Sequence, residues 1–119
     1  MLVLIIINAI IGVGTAGMAV VSVIKPQLFS RSESVTSGEV HYTRMYAARA
    51  VPLGLAAGLL PFWWSGAPVV TLLLVAAVAQ VIDVVLNIRS REMGLLIGAT
   101  VAATVHIVAA VAIGMMSLA

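Results

Sequence analysis

The stretch Leu72–Arg91, LLLVAAVAQVIDVVLNIRSR, decides the fold. Extended back to Val69 and read to Ile88, it is an apolar segment of the length that crosses a bilayer core, about 20 residues. Within it stand Gln80 and Asp83, with Asn87 close behind. These three fall at i, i+3 and i+7, one face of a helix. Asp83 is the only carboxylate inside any hydrophobic span of the chain. An ionisable group in a membrane segment is costly, faces the bundle interior and marks a functional site by default.

Composition agrees with a membrane setting. Of 119 residues, 63% are hydrophobic and 8% are charged, where a soluble domain keeps roughly a quarter charged. Mean hydropathy is +1.24. The expectation is a single all-α membrane domain over 1–119, an antiparallel bundle of four transmembrane helices. The absence of cysteine excludes disulfides, thiolate chemistry and Cys-ligated metal. A net charge of +2, spread over helix ends, is no nucleic-acid footprint.

Upstream, residues 2–24 form the first apolar segment, broken only by Asn8, Thr15 and Ser22. A signal peptide is disfavoured, because the run is too long and has no basic n-region. Gly12, Gly14 and Gly17 spell G-x-G-x-x-G. The dinucleotide fingerprint needs a preceding strand and a βαβ unit, so these glycines read instead as small residues for close helix packing. Lys25-Pro26 ends the helix, since proline cannot continue the hydrogen-bond ladder. A polar loop, 25–38, follows. Thr36-x-x-Glu39 has the form of a capping box, which starts the second helix near Ser37, before the bilayer proper; the helix is read as 39–62.

On that helix Tyr42, Tyr46 and Arg49 share a face at i, i+4 and i+7. Pro52 lies inside it, and Gly54-x-x-x-Gly58 is a close-packing pattern. Pro61–Pro68, PFWWSGAP, is a short turn whose Trp63 and Trp64 suit a membrane interface. Such a turn makes the second and third helices antiparallel neighbours. The third helix spans 69–88 and the fourth 94–118, with Thr100, Thr104 and His106 as polar residues of the latter. Lys25, Arg31, Arg44, Arg89 and Arg91 all flank the two polar loops, and no Lys or Arg flanks the Trp turn or the termini. The positive-inside rule then puts both polar loops in the cytoplasm and both termini outside.

At a rise of about 1.5 Å per residue, Arg49 and Asp83 both lie roughly 8 Å inside the cytoplasmic boundary. Two opposite charges at one depth on neighbouring helices should pair. With Asn8, Tyr46, Gln80 and His106 they are expected to line an intramembrane pocket, apolar with a few directed polar groups. The catalytic candidates are Asp83 as general base or water-orienting group, Arg49 to hold it and stabilise negative charge, and Tyr46 or His106 to supply a proton. Asn8, Gln80, Tyr42 and Asn87 are the candidate ligand-binding residues. No metal site is expected, since His41 and His106 lie on different levels and Asp83 would have to leave Arg49. Cofactor-free acid–base work such as isomerisation, cyclisation or hydrolysis suits so small a chain. The expected partners are the lipid bilayer and a lipophilic small molecule (quinone, isoprenoid, sterol-like or epoxide), with a homo-oligomer as a further option. Two other readings stand beside this one: an accessory or assembly subunit whose Arg–Asp pair is structural, and a small proton-coupled transporter.

Val23-x-Lys25-Pro26-x-x-Phe29, the segment Tyr46-Ala-Ala-Arg49-Ala-Val-Pro52-Leu-Gly54, Gln80-x-x-Asp83 and the His106 helix together resemble the DoxX-like superfamily. The resemblance implies a small four-helix protein of the bacterial cytoplasmic membrane. It also implies that Arg49, Asp83 and His106 match an Arg, an Asp and a His that recur on helices two, three and four. The best-described associations of that superfamily are with quinone-linked oxidation and redox stress.

Overall fold

The computed structural model describes residues 1–30, 33–90 and 93–118. Arg31 and Arg91, which enter the charge pattern above, lie outside the described residues. Four helices account for most of the chain: α1 (Leu2–Ile24), α2 (Ser37–Leu59), α3 (Ala67–Ser90) and α4 (Met93–Leu118). Each is long and apolar enough to cross a membrane, and no strand occurs among the described residues. The 23 residues of α1 reach about 35 Å at the helical rise, against a hydrocarbon core of about 30 Å.

Local chemistry sets the boundaries. α1 stops at Ile24, and Pro26 opens a 3-10 turn, Pro26–Leu28. α2 begins with a complete capping box. The Glu39 N–H donates to Thr36 Oγ1 at 3.1 Å, and the Thr36 N–H donates to Glu39 Oε1 at 3.2 Å. Pro61 sits in a second 3-10 turn, Leu60–Phe62, where α2 ends. Gly66 then takes φ +83°, a conformation open to glycine, and Pro68 falls in the first turn of α3, where a missing N–H costs nothing. Trp63 and Trp64 are exposed on this turn. Against the sequence reading, α3 starts two residues before Val69 and runs two past Ile88, while α2 ends three residues before Phe62.

The helices associate as two tight pairs, α1 with α2 and α3 with α4, joined by shorter seams between α1 and α4 and between α2 and α3. The first pair is a contact of small residues. α1 buries Asn8, Gly12, Ala16, Ala19 and Ser22, spaced by three or four so that they form one stripe. Gly12 meets the backbone of Gly54 and Gly58 directly. Lipid tails are as apolar as side chains, so close van der Waals approach of this kind is what holds membrane helices together. The expectation for the three α1 glycines needs correction. Gly14 and Gly17 face open space, and the packing residues beside Gly12 are the alanines.

The core is unevenly placed. Ala57, Val69, Leu73, Ala76, Ala109, Ala110 and Ile113 form a buried cluster toward the Trp-turn end. Near the polar loop the same bundle is open, and there the larger of its cavities lies. The outward faces of all four helices carry large apolar side chains, a surface suited to lipid.

Candidate functional site

Two polar contacts cross between the helix pairs. The first joins α1, α2 and α4. Asn8 Nδ2 donates to the Ala57 carbonyl at 2.7 Å, and Asn8 Oδ1 lies 2.7 Å from His106 Nδ1. With Asn8 Oδ1 as the acceptor, His106 carries its proton on Nδ1. Asn8 and His106 are both buried. A buried amide without partners would cost about 1 to 3 kcal/mol, and here both its donor and its acceptor are engaged.

The second contact joins α2 and α3. Arg49 Nη2 donates to both carboxylate oxygens of Asp83, at 3.0 and 3.1 Å. The two side chains are not equally enclosed: Arg49 is 41% exposed and Asp83 14%. The carboxylate is the more enclosed of the two and the guanidinium stands at the rim. The Arg49 guanidinium also stands 5.7 Å from the centre of the Tyr46 ring, within cation–π range. Arg49, Asp83 and Tyr46 therefore act as one electrostatic unit on facing helices.

Two cavities flank this unit. The smaller is lined by Thr15, Arg49, Gln80, Asp83 and His106 together with small apolar residues, and about 10 Å³ is open to a water's centre. The larger measures about 600 Å³ on the same footing and opens toward the polar loop. Its walls come from all four helices and the segment after α1: Met18 and Ser22 of α1, Pro26 and Phe29 after it, Tyr42, Thr43 and Tyr46 of α2, Leu86 and Asn87 of α3, and Leu95 and Ala99 of α4. Gln80 and Asp83 line both cavities and so form the wall between them. That size is in the range that holds drug-sized ligands, about 300 to 1,000 Å³.

The residues picked out from the sequence divide accordingly. Tyr42, Tyr46, Gln80, Asp83 and Asn87 come together on the larger cavity. Arg49 stands on the smaller one, behind Asp83. His106 also lies on the smaller cavity, so the structure does not place it against a ligand in the larger one. Asn8 is not among the residues that line either cavity; both ends of its amide are engaged, by Ala57 and His106. Its place is that of a clasp between helices. Thr15, Ser22 and Thr43 are site residues that sequence reading passed over. Asn8, Thr15 and Ser22 recur every seven residues, which puts them on one stripe of α1; that spacing was the available signal. Among the described residues, no group of three or more His, Asp or Glu could hold a metal ion. No known protein family matches the chain, and neither a curated protein nor a solved structure matches it.

Proposed function

We propose that the chain binds a lipophilic small molecule in the larger cavity and acts on it by acid–base chemistry at Asp83. One observation carries this reading: a cavity of about 600 Å³ whose inner wall is a paired carboxylate and whose sides carry two tyrosines. A ligand with an apolar body and one polar end fits such a lining. Its polar end meets Asp83, Gln80 and Tyr46, and its body lies along Met18, Phe29 and Leu86. Asp83 takes a proton from the ligand or from a water beside it. Arg49, bonded to both carboxylate oxygens, fixes the carboxylate and offsets negative charge that develops nearby. Tyr46 is the hydroxyl on the cavity side that returns a proton. Isomerisation, cyclisation and hydrolysis all run on this set.

In this reading neighbouring helices run antiparallel. The meeting of Asn8 with Ala57 and of Gly12 with Gly54 and Gly58, early residues of α1 against late residues of α2, supports that arrangement. The polar loop and Arg89 then face the cytoplasm and both termini lie outside, as the positive-inside rule asks. The resemblance to DoxX-like proteins, with Arg49, Asp83 and His106 at the matching places, supports a bacterial cytoplasmic membrane as the site of action.

The test is native mass spectrometry of the protein purified in mild detergent. Wild type is expected to carry a lipophile that Asp83→Asn loses while keeping its thermal stability in detergent within a few degrees. Equal retention by both variants, or wild type without any adduct, overturns the reading. A second reading, in which the Arg49–Asp83 pair is purely structural, draws on its position across the short α2–α3 seam. It expects Asp83→Asn to lower stability, and Asp83→Asn with Arg49→Gln to recover part of the loss.

A further inference from the structure

The smaller cavity lies between the two polar contacts that join the helix pairs. His106 is 2% exposed, and among the described residues its ring makes one hydrogen bond, through Nδ1 to Asn8. The second ring nitrogen is an acceptor in that tautomer. No fully buried side-chain nitrogen or oxygen among the described residues lacks a partner, so the remaining exposure of His106 is to cavity space. Gln80 lines the same space and makes no side-chain hydrogen bond among the described residues. Thr15 donates its hydroxyl to the Ile11 carbonyl at 2.9 Å, which leaves its oxygen lone pairs available. Asp83, held by Arg49 on one side, completes the wall.

We infer that this cavity is a binding site for one ordered water molecule, bridging His106 to Gln80 and Asp83. The volume open to a water's centre is about 10 Å³, room for one water molecule and little more. The site also offers the two to four polar partners that a resident water needs. The water donates to the free nitrogen of His106 and to Asp83, and accepts from the Gln80 amide, with Thr15 beside it. It links the Asn8–His106 contact to the Arg49–Asp83 contact, so polar groups of all four helices form one connected unit. In the acid–base chemistry proposed above, on which this consequence rests, His106 touches no ligand. It is a positioning residue that fixes the water standing behind Asp83.

Solid-state NMR in lipid bilayers tests the site. The chain holds two histidines, His41 and His106, and His41 is exposed. In ¹⁵N-histidine-labelled protein, magnetisation passed from water is expected to reach the His106 ring as well as that of His41. Gln80→Leu removes a partner and fills space, so transfer to His106 is expected to be lost while His41 keeps its own. Ala79→Val fills the same cavity from its apolar wall, leaves every polar partner in place, and is expected to give the same loss. The His106 Nδ1 shift set by Asn8 reports that each variant is folded. A wild-type His106 that receives no water magnetisation while His41 does overturns the inference, and so does undiminished transfer in both folded variants. No ligand enters the measurement, so its failure leaves the proposal of ligand binding to be judged separately.

Discussion

Gly12→Ala should be the most disruptive single-methyl change in the first helix pair. A Cβ at this position would stand 2.6 Å from the Gly54 carbonyl oxygen, 2.7 Å from the Gly58 Cα and 2.9 Å from its nitrogen. All three are backbone atoms, so no side chain can swing aside. Bringing the closest of these contacts out to 3.4 Å, the near edge of ordinary packing, needs a local parting of 3.4 − 2.6, or 0.8 Å. The Asn8–Ala57 hydrogen bond lies one turn away at 2.7 Å. The same parting stretches it to the limit of a hydrogen bond. Overpacking costs about 1 to 3 kcal/mol, and a buried amide losing its partner costs about 1 to 3 kcal/mol. Because the two losses share one movement, the expected total is about 2 to 4 kcal/mol. Unfolding in mixed micelles by titration with a denaturing detergent measures it. Gly14→Ala and Gly17→Ala are the controls, since nothing lies within 4 Å of either added carbon. Both should be neutral, or slightly stabilising through helix propensity. If Gly12→Ala unfolds at the same detergent fraction as Gly14→Ala, the close-contact account of the α1–α2 pair is wrong.

Other changes probe other parts of the molecule. Asn8→Ala strips two hydrogen bonds from the first clasp and should lower stability by about 2 to 3 kcal/mol; Asn8→Asp, which keeps shape but not the amide donor, should be no milder in the same titration. Asp83→Asn should cost no more than about 1 kcal/mol, because Arg49, the more exposed of the two and near the polar-loop end of α2, can snorkel to the interface when its partner is lost. A double-mutant cycle with Arg49→Gln reads the coupling, and a cost as large as that of Asn8→Ala would contradict the exposure difference. Thr36→Ala removes the capping-box hydroxyl outside the membrane span and should cost about 1 kcal/mol, visible as a lower melting temperature. Because the chain has no cysteine, Ser34→Cys and Ser65→Cys supply single labelling sites. A membrane-impermeant thiol reagent added to intact cells should modify the second and spare the first, and the reverse pattern would invert the topology.

Much of this architecture was legible because its signals are local. Span length, the Lys25-Pro26 stop and the Thr36–Glu39 box each act within one turn of chain, so four helices and their ends follow from reading in order. The Arg49–Asp83 contact was legible for another reason: two charges at matched depth in lipid have few alternatives to each other. His106 and Asn8 were not resolved in this way. Each is neutral and can be satisfied by a hydroxyl, a carbonyl or a water. Their choice of one another depends on the rotation of α1 against α4, which side-chain periodicity does not fix to better than a few tens of degrees. The glycines of α1 show the same limit. All three suit close packing by type, and only the facing of the stripe through Asn8, Gly12 and Ala16 makes Gly12 the contact.

Where the polar residues sit follows from where small residues do not. Within the α1–α2 pair, glycine and alanine bring backbones together, and the polar side chains buried there, Asn8, Ser22 and Thr43, each donate to a backbone carbonyl. Between the pairs the contacts are fewer, and apolar side chains gain little there over lipid. Two directed polar contacts, Asn8 with His106 and Arg49 with Asp83, therefore carry much of the registration of one pair on the other. The arrangement has a consequence for binding. In the proposed function, the space near the polar loop takes the polar end of a ligand, or water, beside Gln80 and Tyr46, because hydrocarbon offers the Gln80 amide no partner. The charge contact that joins the helix pairs is thus also the wall that such a ligand touches. A ligand that engages Asp83 acts on the contact holding α2 to α3, so binding should tighten or loosen the two pairs as units. Distance measurements between spin labels on α1 and α3, before and after addition of a lipophile that native mass spectrometry finds bound, would show that coupling as a shift, and identical distances in both states would remove it.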